Sequence, residues 1–246
     1  MSLPRVATEA QWLEARKELL AEEKAMTRAR DALCTKRRNL PMVRIEKDYV
    51  FDGPEGNVTL GDLFDGCRQL IVQHFMFDPE WDEGCPSCTA ACDENSAGLL
   101  NHLRSRDTNF VVVSRAPLEK INRYKARKGW TFPWYSSFGS DFNYDFHVTI
   151  DGSVAPVMWN YRTLDELVGL GMGWLGEGSS EQPGLSAFLR DGDAIFHTYS
   201  VYARGTEMLG GSYYFLDMTA LGRQEEWEEP TGRVTNARAS LPDFST

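Results

Sequence analysis

An apolar run from Leu70 to Phe77 ends in a short acidic loop, Asp78-Pro79-Glu80-Trp81-Asp82-Glu83-Gly84. The loop leads into Cys85-Pro86-Ser87-Cys88, and the pattern then turns helical. A continuous apolar strand needs cover on both faces of its sheet. Two cysteines three residues apart on a first helical turn lie on one side, so their sulfurs can join with little backbone movement. The first also faces unpaired N–H groups and the positive end of the helix dipole, which favour thiolate over thiol. Thiolate attacks a disulfide, and the second cysteine resolves the product. Cys85 is therefore the candidate nucleophile and Cys88 the resolving thiol. A cytosolic C-x-x-C beside a β-α-β pattern carries this thiol–disulfide reading.

Upstream, residues from about Thr8 to Asn39 read as one helix. Thr8 and Gln11 make a capping-box pattern, and Pro41 stops the run. Trp12, Leu19, Met26 and Leu33 recur every seven residues, widened by Leu13 and Leu20. Such a stripe packs on the main domain, or serves a second copy as a homodimer contact. Residues 43–64 read as a β-hairpin and a turn of helix. His74 lies within the central strand, where a histidine is ordinarily a satisfied core group. After the cysteines the pattern predicts one helix carrying Cys92, Leu99, Leu100 and Leu103. A buried strand at Phe110–Ser114 and a basic helix over 117–128 follow. Two strands joined this way form a parallel pair.

The pattern breaks at an aromatic segment, 129–138, containing Phe132-Pro133-Trp134. Residues 139–183 read as an irregular, aromatic-rich insertion covering part of the site. Gly171–Gly176 spells G-x-G-x-x-G, but no strand precedes it, so it carries no dinucleotide reading. Residues 186–202 form a clear hairpin around Asp191-Gly192-Asp193, and a last helix is expected over 206–218. The implied organisation is a helical extension at 1–41, a main domain at 42–223, and a loosely ordered tail at 224–246.

The net charge is −10 and the isoelectric point about 5.0. Neither suits nucleic acid or an anionic membrane. No stretch has the length of a membrane span, and the first residues lack the apolar core of a secretory signal. Cysteines stand at 34, 67, 85, 88 and 92. An odd count, with three inside eight residues, is not a secreted disulfide framework. A cytoplasmic setting is expected.

The order β-α-β-α, Phe-Pro segment, insertion, hairpin and helix resembles an elaborated thioredoxin fold of the peroxiredoxin-like branch. Asp48-Tyr49-Val50-Phe51, His74-Phe75-Met76-Phe77, Gly84–Cys88, Phe132-Pro133-Trp134, His197–Ser200 and Ala203-Arg204-Gly205 together resemble a bacterial thioredoxin-like family known as domain of unknown function 899. The resemblance runs from about residue 8 to 223. It implies an α/β class with a central mixed β-sheet flanked by helices. The expected substrate is a thiol or disulfide, met by Trp81, Pro86, Ser87, Pro133, Trp134 and His197, with no metal and no cofactor. A histidine at 197 close to Cys85 would stabilise its thiolate; the other reading, and the favoured one, is a surface or structural histidine, with that end of the hairpin pointing away from the cysteines. Asp82 and Glu83 work the other way, favouring the thiol. In thioredoxin-like chains a proline precedes the strand facing the site; here that slot falls near Leu185-Ser186, with Pro183 two residues early.

Three alternatives stand beside the oxidoreductase. One is a thioredoxin-fold binding protein without redox activity. Another is a thiol peroxidase, although peroxiredoxin-like sites carry Pro and Thr seven and three residues before the cysteine. Asp78 and Asp82 precede Cys85 at those distances, and Cys85 and Thr89 precede Cys92. The third is a metal module built on Cys85, Cys88 and Cys92 with His74, His102 or His197. It suffers because i and i+7 lie about 10 Å apart along a helix.

Overall fold

The computed structural model describes residues 4–209, 211, 218, 219, 225 and 226. The chain divides into two compact units. One comprises Met1–Pro41 and Phe215–Ser240, the other Met42–Tyr214 and Leu241–Thr246. In the first unit, α1 runs from Glu9 to Arg38. Its capping box forms as expected: Thr8 Oγ1 accepts from Gln11 N at 3.3 Å, and Gln11 Oε1 accepts from Thr8 N at 3.1 Å.

The second unit opens with strands β1 (Val43–Arg44), β2 (Val50–Gly53), β3 (Gly56–Thr59) and β4 (Gln69–His74). Helices α2 (Pro86–Asp93) and α3 (Ala97–Arg104) lead to β5 (Thr108–Ser114), α4 (Leu118–Lys128) and β6 (Trp134–Ser136). Then come α5 (Phe142–Asp145), β7 (Thr149–Asp151), β8 (Met158–Trp159), β9 (Arg162–Thr163), α6 (Leu164–Gly169) and β10 (Ser179–Glu181). The hairpin is β11 (Gly184–Asp191) and β12 (Ala194–Tyr202). Of the expected final helix only the start is described, a 3₁₀ turn over Ala203–Leu209. Most of the remainder, and all of the 224–246 tail but Glu225 and Glu226, lies outside the described residues.

Eight strands join in the order β1-β12-β11-β4-β5-β6-β2-β3. β4, β5 and β6 run parallel, whereas β11 is antiparallel to β4 and to β12. The segment β12-β11-β4-β5 is the thioredoxin-fold core, with β4 at its centre. Alternation along β4 sends Leu70, Val72 and His74 to one face and Ile71, Gln73 and Phe75 to the other. The first face packs on Phe51, Phe142, Phe146 and Phe188. The second packs on Phe110, Val112, Ile121, Trp134 and the three clustered cysteines.

Two expectations change. The single helix after the cysteines is two, because Ser96 caps a fresh start by accepting from Leu99 N at 3.1 Å. Asn95, in the break, donates to Gln73 Oε1 at 3.0 Å and ties the bend to the central strand. The insertion is also better ordered than its sequence suggests, with short helices and strands throughout. Its Phe142 and Phe146 fill the face away from the cysteines. That part supports the sheet; it does not cover the site.

On this face a buried polar chain crosses three strands. His74 Nε2 lies 2.8 Å from Ser186 Oγ, Ser186 Oγ 2.8 Å from Ser200 Oγ, and Ser200 Oγ 2.7 Å from His197 Nε2. His74 Nδ1 is buried with no hydrogen-bond partner among the described residues. Burial, and secondarily His197, push His74 from its usual 6.5 down to about 3. Above pH 6.5 neither the folded nor the unfolded chain protonates this ring, so its contribution to stability is complete. Between pH 6.5 and about 3 the unfolded chain takes up a proton that the folded ring refuses, and stability falls. Urea unfolding from pH 7 to 4 is expected to show a loss approaching about 1.4 kcal/mol per pH unit from this one group. His74→Gln is expected to flatten that slope; an unchanged slope would assign the loss elsewhere.

Candidate active site

β4 ends at His74, and the chain then loops out and returns to start α2. Met76 holds both ends of the loop. Its carbonyl accepts from Cys85 N at 3.1 Å, and its own N–H donates to Cys88 Sγ at 3.5 Å. Cys85 is the N-cap of α2 and Pro86 the first helical residue, a position where the missing N–H costs nothing. Gly84 makes the approach possible. A Cβ there would stand 2.6 Å from Phe75 Cε1 and 2.7 Å from Phe75 Cζ, too close for any other residue.

The two thiols are free and unequal. Cys85 keeps 9 % of its surface open, and its sulfur lies 3.1 Å from Ser87 Oγ. Its pKa falls from 9.0 to about 6. The Cys88 thiol is the largest cause, donating to the Cys85 sulfur; burial opposes it, and the Ser87 hydroxyl and the N–H groups of Cys88 and Ser87 add to it. Cys88 moves the other way, well above its usual value. The same hydrogen bond holds its proton, burial and the Cys85 charge reinforce this, and the Met76 N–H opposes it. Cys92 is also raised, chiefly by burial.

The acidic loop does not keep Cys85 protonated, contrary to the expectation from its sequence. Asp82 and Glu83 are exposed, and Glu83 pairs with Arg127. Neither is among the groups acting on Cys85. Three cations pin this loop. Arg115 pairs with Asp78, Lys120 Nζ donates to the carbonyls of Pro79 and Trp81 at 2.6 Å each, and Arg127 takes Glu83.

Trp81, 39 % exposed, lines an open groove of about 560 Å³ with Asp78, Glu80, Arg115, Phe138, Asp151 and the β10 residues Ser179–Glu181. Trp81 stands four positions before Cys85, a reach of at most about 14 Å. Cys85 itself does not line the groove. Pro86 is exposed and Ser87 half-buried beside Cys85. Trp134 is not a surface contact: it is 1 % exposed, its indole N–H donates to Ser114 Oγ at 3.0 Å, and its ring packs against Phe75 with centroids 4.7 Å apart. Pro133 is half-buried before β6, its carbonyl accepting from Val112 N at 2.9 Å.

His197 takes the structural alternative and stands away from Cys85. It pairs across the hairpin with Phe188 and packs on Phe146, on the sheet face opposite Cys85. It has no part in shifting the thiol. The cause is register: Phe188 also pairs with Leu70, and directly paired residues share a face. Pro183 fills the slot immediately before β11, two residues ahead of the expected position. Among the described residues no group of three or more His, Cys, Asp or Glu side chains is placed to hold a metal ion.

Several contributors were not apparent in the sequence. Arg115 follows a parallel strand at its carboxyl end, where sites in such sheets collect, and that position was a usable signal. Its partner Glu181 had none. Glu181 is buried, meets Arg115 Nε at 2.7 Å and Thr149 Oγ1 at 2.9 Å, and has its pKa raised by burial against those partners. Thr89 Oγ1 donates to the Cys85 carbonyl at 2.9 Å and hydrogen-bonds Tyr124 Oη at 2.8 Å, fixing the first helical turn.

Residues 1–240 match the family described as "Bacterial protein of unknown function (DUF899)". No curated protein matches the sequence. Among solved structures, the chain is similar to a mutant of Xanthomonas campestris peroxiredoxin Q. The TM-score is 0.43 and the identity 14 %, over 65 % of this chain and 87 % of that one. A mutant of Xylella fastidiosa PrxQ is similar at a TM-score of 0.40 and 14 % identity, over 65 % and 84 %. A hypothetical protein of Sinorhizobium meliloti 1021 follows at 0.37 and 13 %, over 64 % and 69 %. No helix among the described residues is long and apolar enough to cross a membrane.

Alkylation of the reduced protein across the acid-to-neutral pH range is expected to show one fast thiol, Cys85, with a midpoint near 6. Ser87→Ala is expected to raise the midpoint, and Cys88→Ala to raise it further, since the Cys88 thiol is the larger cause. Equal midpoints in all three proteins would remove the hydrogen-bond account.

Proposed function

The chain belongs to the bacterial DUF899 family, and we propose that it acts there as a thiol–disulfide oxidoreductase, with Cys85 as nucleophile and Cys88 as resolving thiol. The observation that carries this reading is the asymmetric pair: a thiolate-prone sulfur at a helix N-cap, hydrogen-bonded to a buried thiol that keeps its proton.

The Cys85 thiolate attacks one sulfur of a substrate disulfide. A Cys85–substrate disulfide forms, and the other substrate sulfur leaves as thiolate and takes a proton from solvent. Cys85 then carries no charge and no longer accepts from Cys88. Two of the four influences holding the Cys88 proton are lost, leaving burial and the weaker effect of Cys92 opposed by the Met76 N–H. Cys88 ionises, attacks Cys85 Sγ, and expels the second substrate thiolate. The protein gains a Cys85–Cys88 disulfide while the substrate gains two electrons and two protons. An external dithiol, or two monothiols, reverses the change. Five free thiols suit a reducing compartment, the cytoplasm.

The groove beside Trp81 supports a substrate preference. Its acidic members Asp78, Glu80, Asp151 and Glu181 outnumber Arg115, which is engaged by Asp78 and Glu181. A cationic disulfide is favoured there over an anionic one. Alkylation and mass mapping after mild oxidation are expected to show reversible loss of two thiols, at Cys85 and Cys88. Cystamine is expected to oxidise the pair faster than glutathione disulfide, and Cys88→Ser to accumulate a mixed disulfide at Cys85. If all five thiols stay reduced, the oxidoreductase reading fails. If the pair oxidises without preference, only the groove assignment fails.

A further inference from the structure

α1 spans 30 residues, about 45 Å, and none of them is buried. Its heptad row is open: Trp12 is 60 % exposed, Leu19 50 %, Met26 70 % and Leu33 52 %. An apolar row held at seven residues drifts about 20° per heptad around a straight helix, so a strict repeat follows a partner helix in a left-handed supercoil. One step round, at three residues beyond each member, stand Ala15, Glu22, Ala29 and Lys36, with the two alanines small enough to admit a close neighbour.

Charge selects the partner. Residues 9–23 carry five glutamates against Arg16 and Lys17, a net −3. Residues 24–38 carry six Lys or Arg against Asp31, a net +5. A second α1 lying antiparallel sets each half against its opposite and the apolar row against itself. A parallel copy sets like charge on like, which is destabilising. An antiparallel pair is also self-complementary about a two-fold axis, as a closed homodimer requires.

We propose that α1 is a homodimer interface, pairing antiparallel with α1 of a second copy. Light scattering and sedimentation of the full chain are expected to give about twice 27.8 kDa, with self-association weakening as salt screens the halves. Leu19→Glu with Met26→Glu is expected to weaken it at least about tenfold while leaving the circular dichroism and Cys85 alkylation unchanged. Glu14→Lys with Glu18→Lys is expected to weaken it too. Mixing that variant with Arg28→Glu, Arg30→Glu chains is expected to restore pairing as a heterodimer.

A monomer at about 0.1 mM, or a dimer indifferent to both double variants, would overturn the interface. Orientation is read from Cys34. In the antiparallel pair with Leu19 against Met26, the two Cys34 thiols lie about 35 Å apart. A Cys34–Cys34 disulfide formed readily within the dimer would overturn the antiparallel arrangement.

Discussion

The peptide of Met76 is the point on which the site depends. Just past the end of β4, it accepts from Cys85 with its carbonyl and donates to Cys88 with its N–H. A buried chain cannot leave these groups unpaired without a cost of the order of 1–3 kcal/mol each. Closing the loop satisfies both, and the same closure brings the cysteines together at the head of α2. Phe75 forms the floor beneath, which is why Gly84 has no room for a side chain. The thiol asymmetry then follows first from the hydrogen bond between the two sulfurs, with burial adding to it at Cys88. Cys85 caps the helix near the surface, whereas Cys88 lies one turn inside.

β4 divides the protein's polar chemistry between two faces of one sheet. The dithiol lies on the face covered by α2 and α4. The His74–Ser186–Ser200–His197 chain lies on the other, among Phe142, Phe146 and Phe188. Alternation along a strand makes this separation complete, since neighbouring residues point to opposite sides. His74 and Phe75 are adjacent in sequence yet belong to different cores. The histidines therefore influence stability with pH, while thiol reactivity is set by groups on the cysteine side.

The loop between β4 and α2 shows how context alters a local charge argument. Read alone, Asp82 and Glu83 oppose a thiolate. In the fold they are exposed to solvent, and Arg115 holds Asp78, Arg127 holds Glu83, and Lys120 holds the carbonyls of Pro79 and Trp81. Exposed charges are screened by water, whereas a direct hydrogen bond from a buried thiol is not. The nearer, drier interaction wins.

Local signals carried the central strand, though it ends at His74 and not at Phe77, the cysteine pair at a helix start, the capped α1, the basic α4 and the final hairpin. Each rests on periodicity, capping or turn chemistry within a few residues, and these act before any tertiary contact forms. The break between α2 and α3, the order hidden in the insertion, the burial of Trp134 and the removal of His197 to the far face were decided only by the fold. So was the pairing of Arg115 with Glu181 across 66 residues. Those features depend on strand register and on which chain segment arrives beside which, and a one-residue change in register exchanges the faces of a strand. The C-x-x-C stretch placed two sulfurs at one helix start. The fold determined that the Cys85 thiol is shifted down and the Cys88 thiol up, because only the folded chain brings them into one hydrogen bond.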